Sequence, residues 1–308
     1  MSTVARVRNL TKHFDTLTAV NDLSFTVEEG DVYGFLGQNG AGKSTTLRML
    51  LSLIRPSSGN IELFGLSLAS HRRDILRQVG AVIEQPELYP FFTGLENLRV
   101  FARLSGKPLR RAALLEQLEV VGLASRADDK TATYSMGMKQ RLGLAAALVH
   151  DPALLILDEP TNGLDPQGIA DMRNLILSLS RDRKKTLIVS SHLLSEVQVI
   201  ATRMLIIDRG RKIVEGASAE LLNPSDTLVL LETEDDAAAR ALLAGSPYAA
   251  ALDGRYLTLR LPGAEVPSLN AFLVSHGVRV TRLEPRHSLE DYFLQLTAPA
   301  THVAPFAH

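Results

Sequence analysis

Cysteine is absent from this sequence. That excludes disulfides and thiolate metal sites, and it fits a reducing compartment. Tryptophan is absent too, and aromatic residues make up only 5%, which leaves little surface on which bases could stack. There is no excess of positive charge: 33 Lys and Arg stand against 34 Asp and Glu, for a net charge of -1. A basic face is what neutralises phosphates on a nucleic acid or an anionic surface, so nucleic acid is not an expected partner. The eight His residues are scattered, with no HExxH and no pair at ligand spacing. No apolar run approaches the roughly 18 residues of a membrane span. The longest candidate, "LGLAAALV", is closed by His150, Asp151 and Pro152. The opening "MSTVARVRNLTKHF" lacks the apolar centre of a signal peptide. A soluble chain is expected, and any role at a membrane would need a partner.

What is present is enough for a large core. Of 308 residues, 45% are apolar and 22% charged, which suits one large domain and one small one. The first stretch alternates apolar and polar residues, as antiparallel strands do. "VYGFLG" reads as a buried strand, and "KSTTLRMLLSLI" has helical spacing. "SSGNIELFG" reads as a turn and a strand, and "ILRQVGAVIEQ" as the end of a helix and a strand. Residues about 87–150 are helical in pattern. Thr93 and Glu96 have capping-box spacing, a second helix stops at Gly122, and a third follows Ser135. Strands and helices then alternate: "ALLILDEP", "ADMRNLILSLSR", "TLIVSSH", "SEVQVIATR", "RMLIIDRG". That order predicts a parallel sheet with crossovers. "NPSD" at 223–226 reads as a boundary. Beyond it, residues 224–298 form a small α+β unit that includes "LEDYFLQLT", followed by a loose tail at 299–308.

Chemistry concentrates in two places. "GQNGAGKST" matches GxxxxGK followed by Ser or Thr, through Gly37, Gly42, Lys43 and Ser44. It lies between a buried strand and a helix. There the backbone of Gly37, Gln38, Asn39, Gly40, Ala41 and Gly42 can turn N–H groups toward phosphate, and the helix N-terminus favours an anion. Lys43 would reach the β- and γ-phosphates, and Ser44, with Thr45 beside it, would reach Mg2+. "LLILDEPT" ends a buried strand in Asp158 and Glu159, at the mouth of a parallel sheet where ligands bind. Asp158 suits the surroundings of Mg2+, and Glu159 suits activation of an attacking water.

"GQNGAGKST", "YSMGMKQR", "LLILDEPTNGLDP" and "TLIVSSH" occur in this order. Over residues 4–222 the chain thereby resembles the nucleotide-binding subunit of ABC transporters. It is most similar to stand-alone ATPase subunits of exporters of the bacitracin and lantibiotic resistance type. The resemblance implies an α/β fold of the P-loop NTPase, ABC ATPase kind: a parallel sheet core, an antiparallel β subdomain and a helical subdomain. The nucleotide-binding domain would run over 1–223, with the small C-terminal α+β domain serving dimer contact or regulation. The cofactors implied are ATP and Mg2+.

The resemblance assigns further roles. Phe14 would stack on adenine, with Val20 against the same base. His192 would contact the γ-phosphate, and Asn162 to Asp165 would couple the two sites of a dimer. Tyr134, Ser135, Met136, Gly137 and Met138 stand where the family usually has LSGGQ; they would serve the nucleotide held by a second copy, with the Met136 side chain facing elsewhere. Where the family usually has Gln near Mg2+ and the membrane partner, this chain has Glu84 followed by Gln85, and either could be the ligand. The implied protein hydrolyses ATP to power efflux of an antibiotic peptide, drug or lipid-like compound. It would act as a dimer on a separate integral membrane permease, at the inner face of the cell membrane. Two alternatives remain at this point: a sensor for a regulatory membrane partner, and an ABC ATPase that works without a membrane.

Overall fold

The computed structural model describes residues 2–222, 227–249, 252–253 and 257–287. The expected boundary at 223–226, the segment "LEDYFLQLT" and the tail after 298 lie outside these. The chain divides after Ser218 into two compact units.

The first unit opens with β1 (Thr3–Phe14) and β2 (Leu17–Glu28), an antiparallel pair. Next come β3 (Val32–Leu36) and α1 (Lys43–Leu50). β4 (Ser58–Leu63) and β5 (Leu66–Ser67) complete a four-stranded antiparallel sheet in the order β2-β1-β4-β5. After α2 (Arg72–Leu76) and β6 (Val79–Val82) come three helices, α3 (Gly94–Leu104), α4 (Arg111–Val120) and α5 (Met136–Leu148). Then β7 (Leu154–Asp158), α6 (Pro166–Arg181), β8 (Thr186–Ser191), α7 (Leu194–Val197), β9 (Arg203–Asp208) and β10 (Arg211–Ala217) close the unit. The second sheet has the order β10-β9-β3-β8-β7-β6. It is parallel except for the β9–β10 hairpin.

Period-two alternation in this sheet feeds two cores. Leu155, Leu157, Leu187 and Val189 face the helical side and pack with Leu98, Leu118 and Leu142. Leu154, Ile156, Ile188 and Phe35 face the antiparallel sheet and pack with Leu10, Leu23 and Leu63. Strands buried on both faces read as continuous apolar runs, and "LLIL" and "TLIV" are such runs. Each fully buried Leu or Ile contributes on the order of 1.5–3 kcal/mol.

Helix starts follow local chemistry. Thr93 Oγ1 accepts the Glu96 N–H at 3.1 Å, and Glu96 Oε2 accepts the Thr93 N–H at 2.8 Å, the expected capping box. α6 begins earlier than "ADMRN", because Asp165 caps it through the Gly168 N–H at 3.0 Å and Pro166 occupies its first turn. "SEVQVIATR" forms only the short α7, since the β-branched Val197, Val199 and Ile200 disfavour a longer helix.

Asn97 shows how α3 is held to the loop that precedes it. It is fully buried on α3. Its Nδ2 donates to the carbonyls of Tyr89 and Thr93, each at 3.0 Å, and its Oδ1 accepts the Tyr89 N–H at 2.8 Å. Asn97→Ala would leave the Tyr89 N–H without its partner, at roughly 1–3 kcal/mol, while the Tyr89 carbonyl keeps Thr131 Oγ1 and the Thr93 carbonyl keeps the residue-97 N–H. We expect a loss of about 1–3 kcal/mol in urea unfolding. A loss below about 1 kcal/mol would mean that another partner satisfies this N–H.

The second unit is a small sheet with helices. α8 (Ser218–Leu221) leads to β11 (Thr227–Thr233), α9 (Asp236–Ala244), β12 (Leu252–Asp253), β13 (Thr258–Leu261), α10 (Val266–Ser275) and β14 (Val280–His287). The sheet order is β12-β13-β11-β14, all antiparallel. Val229, Leu231, Leu259, Leu243 and Leu269 form its core.

Candidate nucleotide site

The C-terminal ends of β3, β7 and β8 meet at one edge of the parallel sheet, with Leu36 beside Ser191 and Asp158 beside Ser190. From β3 the chain turns through Gly37 to Gly42 into α1. Gly42 is the position that must be glycine. Its φ is +104°, and a Cβ there would meet the Ala19 carbonyl at 2.5 Å. The loop borders a cleft of about 530 Å³ lined by Phe14, Leu17, Thr18, Ala19, Gln38, Asn39, Gly40, Gly42, Lys43, Ser44, Thr45, Glu159 and Arg209. Eleven of these residues come from the adjoining ends of β1 and β2 and from the phosphate loop, so the antiparallel sheet supplies one wall.

Lys43 is buried. Its Nζ donates to the carbonyl of Gly37 at 2.7 Å and of Gln38 at 3.3 Å. It also stands 3.1 Å from Glu159 Oε1, close enough for an ion pair, although that oxygen is not aligned for a hydrogen bond. The other oxygen, Glu159 Oε2, lies 2.8 Å from His192 Nδ1. The expected base and the expected γ-phosphate His are thus in direct contact, and the lysine holds the base from its other side. Glu159 has φ +51°, a left-handed value uncommon outside Gly and costing about 1 kcal/mol or more. Strain of this kind persists where neighbours over-determine the conformation. One neighbour is Ser190, whose Oγ accepts the Glu159 N–H at 2.9 Å and donates to Asp158 Oδ1 at 2.5 Å. Asp158 is almost fully buried, and its Oδ2 has no hydrogen-bond partner among the described residues.

A second cavity, of about 370 Å³, lies elsewhere on the same unit. Ser135, Met136, Gly137, Gly163, Leu164 and Asp165 line it, together with Arg141, Gln167, Gly168, Asp171 and Met172. Ser135 Oγ caps α5 by accepting the Met138 N–H at 3.3 Å. Tyr134 and Met138 turn away from this cavity. Tyr134 is buried, with its hydroxyl donating to the Arg126 carbonyl at 2.6 Å; burial, with Asp129 nearby, pushes its phenol above the ordinary pKa. Met138 packs against the helical core. Met136 does not face elsewhere as expected: it stays exposed at the cavity wall, because the inward directions at this helix start are taken by its two neighbours.

Several expected residues stand apart from the cleft. Val20 is completely buried in the core and cannot touch a base; Leu17, Thr18 and Ala19 hold that wall instead. This follows from the pleat of β2, which turns Val20 inward. Ala41 is buried behind the loop, its N–H bonded to the Gln38 carbonyl at 3.0 Å. Glu84 does not line the cleft. It has φ +60° and is ion-paired and hydrogen-bonded to Arg48 on α1. Gln85 lines a different groove with Pro86, Leu88 and Phe101.

A family model described as "ABC transporter" matches residues 20–162. The chain is 40% identical to the bacitracin transport ATP-binding protein BcrA of Bacillus licheniformis, over 98% of this chain and 99% of that one. This chain belongs to the ABC transporter ATP-binding proteins. It is also 41% identical to the Nod factor export ATP-binding protein I of Burkholderia lata, over 94% of this chain and 95% of that one. Among solved structures it is similar to cbiO1 from Clostridium perfringens, described as part of the ABC transporter complex cbiONQ. There the TM-score is 0.65 at 26% identity, covering 72% of this chain and 91% of that one. The protein is accordingly an ATPase with an ABC ATPase fold.

In this ABC ATPase, residues that sequence reasoning passed over complete the site. Ser190 joins Asp158 to Glu159. Ser191 accepts the Gly37 N–H on its carbonyl at 3.4 Å and the Leu193 N–H on its Oγ at 3.0 Å. Arg209 borders the cleft beside the phosphate loop. The one available signal was the polar pair "SS" closing the apolar run "TLIV".

Proposed function

We propose that this ATPase powers export of a peptide-antibiotic-like, drug-like or lipid-like compound through a separate integral membrane permease. The observation that carries this reading is the near full-length likeness at about 40% to ATP-binding proteins named for bacitracin transport and Nod factor export. Among the described residues no helix is long and apolar enough to cross a membrane, so the path for the compound would belong to the permease. The ATPase would then sit on the inner face of the cell membrane.

ATP would enter the Phe14 cleft with its base against the Phe14 ring, whose face Lys12 Nζ already approaches at 4.8 Å. The phosphates would take Lys43 from Glu159, and Glu159 Oε1 would then be free to accept a proton from the attacking water. His192, held at Glu159 Oε2, would orient that carboxylate and face the γ-phosphate. Ser44 in the cleft and the unpartnered Asp158 Oδ2 are groups that fit Mg2+, a hard cation that prefers oxygen and keeps few protein ligands. Bound there, Mg2+ would neutralise charge that builds on the phosphates.

Ser135, Gly137 and Asp165 line a cavity that shares no residue with the phosphate cleft. They would serve the nucleotide of a second copy, so that two chains enclose two ATP molecules. The test is genetic. A strain lacking this ATPase should lose tolerance to a panel of peptide antibiotics and amphipathic drugs. Wild type should restore tolerance and Glu159→Gln should not. Unchanged tolerance across the panel, or rescue by the inactive variant, would remove the export reading.

A further inference from the structure

Glu196 has no part in the hydrolytic scheme, yet it is a carboxylate buried on α7 directly behind it. No ion pair to it occurs among the described residues. A buried carboxylate without a cation costs several kcal/mol unless hydrogen bonds replace water. Here two hydroxyls do so at one oxygen. Thr161 Oγ1 donates to Glu196 Oε2 at 2.5 Å, and Ser191 Oγ donates to the same oxygen at 3.3 Å. Because Ser191 Oγ also accepts the Leu193 N–H, its single proton is committed toward Glu196.

Both hydroxyls belong to catalytic turns. Thr161 follows Glu159 in the turn after β7, and its carbonyl accepts the Leu164 N–H at 3.2 Å, just before Asp165. Ser191 precedes His192, and its carbonyl accepts the N–H of Gly37, where the phosphate loop begins. Glu196 is therefore the common acceptor that ties the Glu159 turn to the His192 turn. These two turns must keep Glu159 Oε2 and His192 Nδ1 at 2.8 Å.

We propose that Glu196 is a positioning residue for ATP hydrolysis. Through Thr161 and Ser191 it sets His192 against Glu159, without touching nucleotide. The proposal rests on reading Glu159 and His192 as the hydrolytic pair. A misplacement of about 1 Å at a reacting group can cost on the order of 10²-fold. Loss of the Glu196 carboxylate should act on kcat and spare the distant phosphate and base contacts.

The experiment is steady-state ATPase kinetics on the full chain carrying Glu196→Ala, Glu196→Gln or Thr161→Val, each alone and combined with His192→Ala. Glu196→Ala is expected to lower kcat by about 10–100-fold with the KM for ATP within about twofold of wild type. Glu196→Gln keeps an oxygen for the Thr161 hydroxyl and should recover part of the rate. Thr161→Val removes a donor at similar volume, so it decides the matter if Glu196→Ala fails to fold. In the His192→Ala background each substitution should cost less than about threefold, since its effect passes through His192. Fully multiplicative losses, or wild-type kcat in both Glu196→Gln and Thr161→Val, would overturn the positioning role. Wild-type kcat for His192→Ala alone would instead sink the hydrolytic pair itself, which separates the two failures.

Discussion

Glu159→Gln should cut ATP turnover by about 10²–10⁴-fold, the range that a positioned general base supplies, while ATP still binds. The substitution keeps the shape of the side chain and removes its charge and its basicity. Both matter in this geometry. Glu159 Oε1 stands 3.1 Å from Lys43 Nζ, so the carboxylate competes with phosphate for the same ammonium. A neutral amide competes less, and ATP affinity should hold or rise. With binding intact and hydrolysis blocked, an ATP-bound dimer should accumulate. Nucleotide binding by fluorescence, ATPase rate and light scattering with and without ATP measure the three quantities on one preparation. A variant that turns over within tenfold of wild type would take Glu159 out of the base role. The backbone at Glu159, held at φ +51° by its N–H bond to Ser190, is unaffected by the change, so a loss of rate would report on side-chain chemistry.

Ser135→Arg should block turnover while leaving the ATP affinity of the isolated chain within about twofold of wild type. Ser135 lies in the cavity with Gly137 and Asp165, which shares no residue with the cleft around Lys43. A long cation placed there cannot obstruct nucleotide in its own copy, but it can obstruct the approach of another. Losing the cap to the Met138 N–H costs about 0.5–2 kcal/mol, a modest change set against complete loss of rate. Ser135→Gly separates the two effects. It gives up the hydroxyl at a few tenths of a kcal/mol and leaves room for a second copy, so it should fold normally and retain some turnover. ATP binding titrated at low protein concentration, together with ATPase rate at high concentration, tests the arrangement. If affinity in the monomer falls in parallel with rate, the loop acts within its own chain.

The two candidate segments were legible because their chemistry is local. The glycine pattern of the phosphate loop encodes its own backbone geometry, and Gly42 shows why, with a neighbouring carbonyl 2.5 Å from where a Cβ would sit. "LDEP" places two carboxylates where a buried strand runs out. The caps at Thr93 and Ser135 likewise involve residues three apart. What local sequence could not show depended on facing and on distant partners. Val20 belongs to the core because β2 turns it inward against residues of other strands. Glu84 pairs with Arg48, a residue far away in the chain, and so stands outside the cleft. Met136 remains at a cavity wall because Tyr134 and Met138 occupy the inward directions.

Sequence by itself determined the family and the nucleotide class and pointed to the candidate hydrolytic groups, since short motifs carry those chemistries within a few residues. Tertiary structure alone decided how the groups are held. The contacts from Lys43 to Glu159, from Glu159 to His192, and from Thr161 and Ser191 to Glu196 join turns at the ends of separate strands. Their partners become neighbours only when β3, β7 and β8 lie side by side. A hydroxyl at the end of an apolar strand carries no local mark of the carboxylate it will meet, because that meeting is set by strand order and burial.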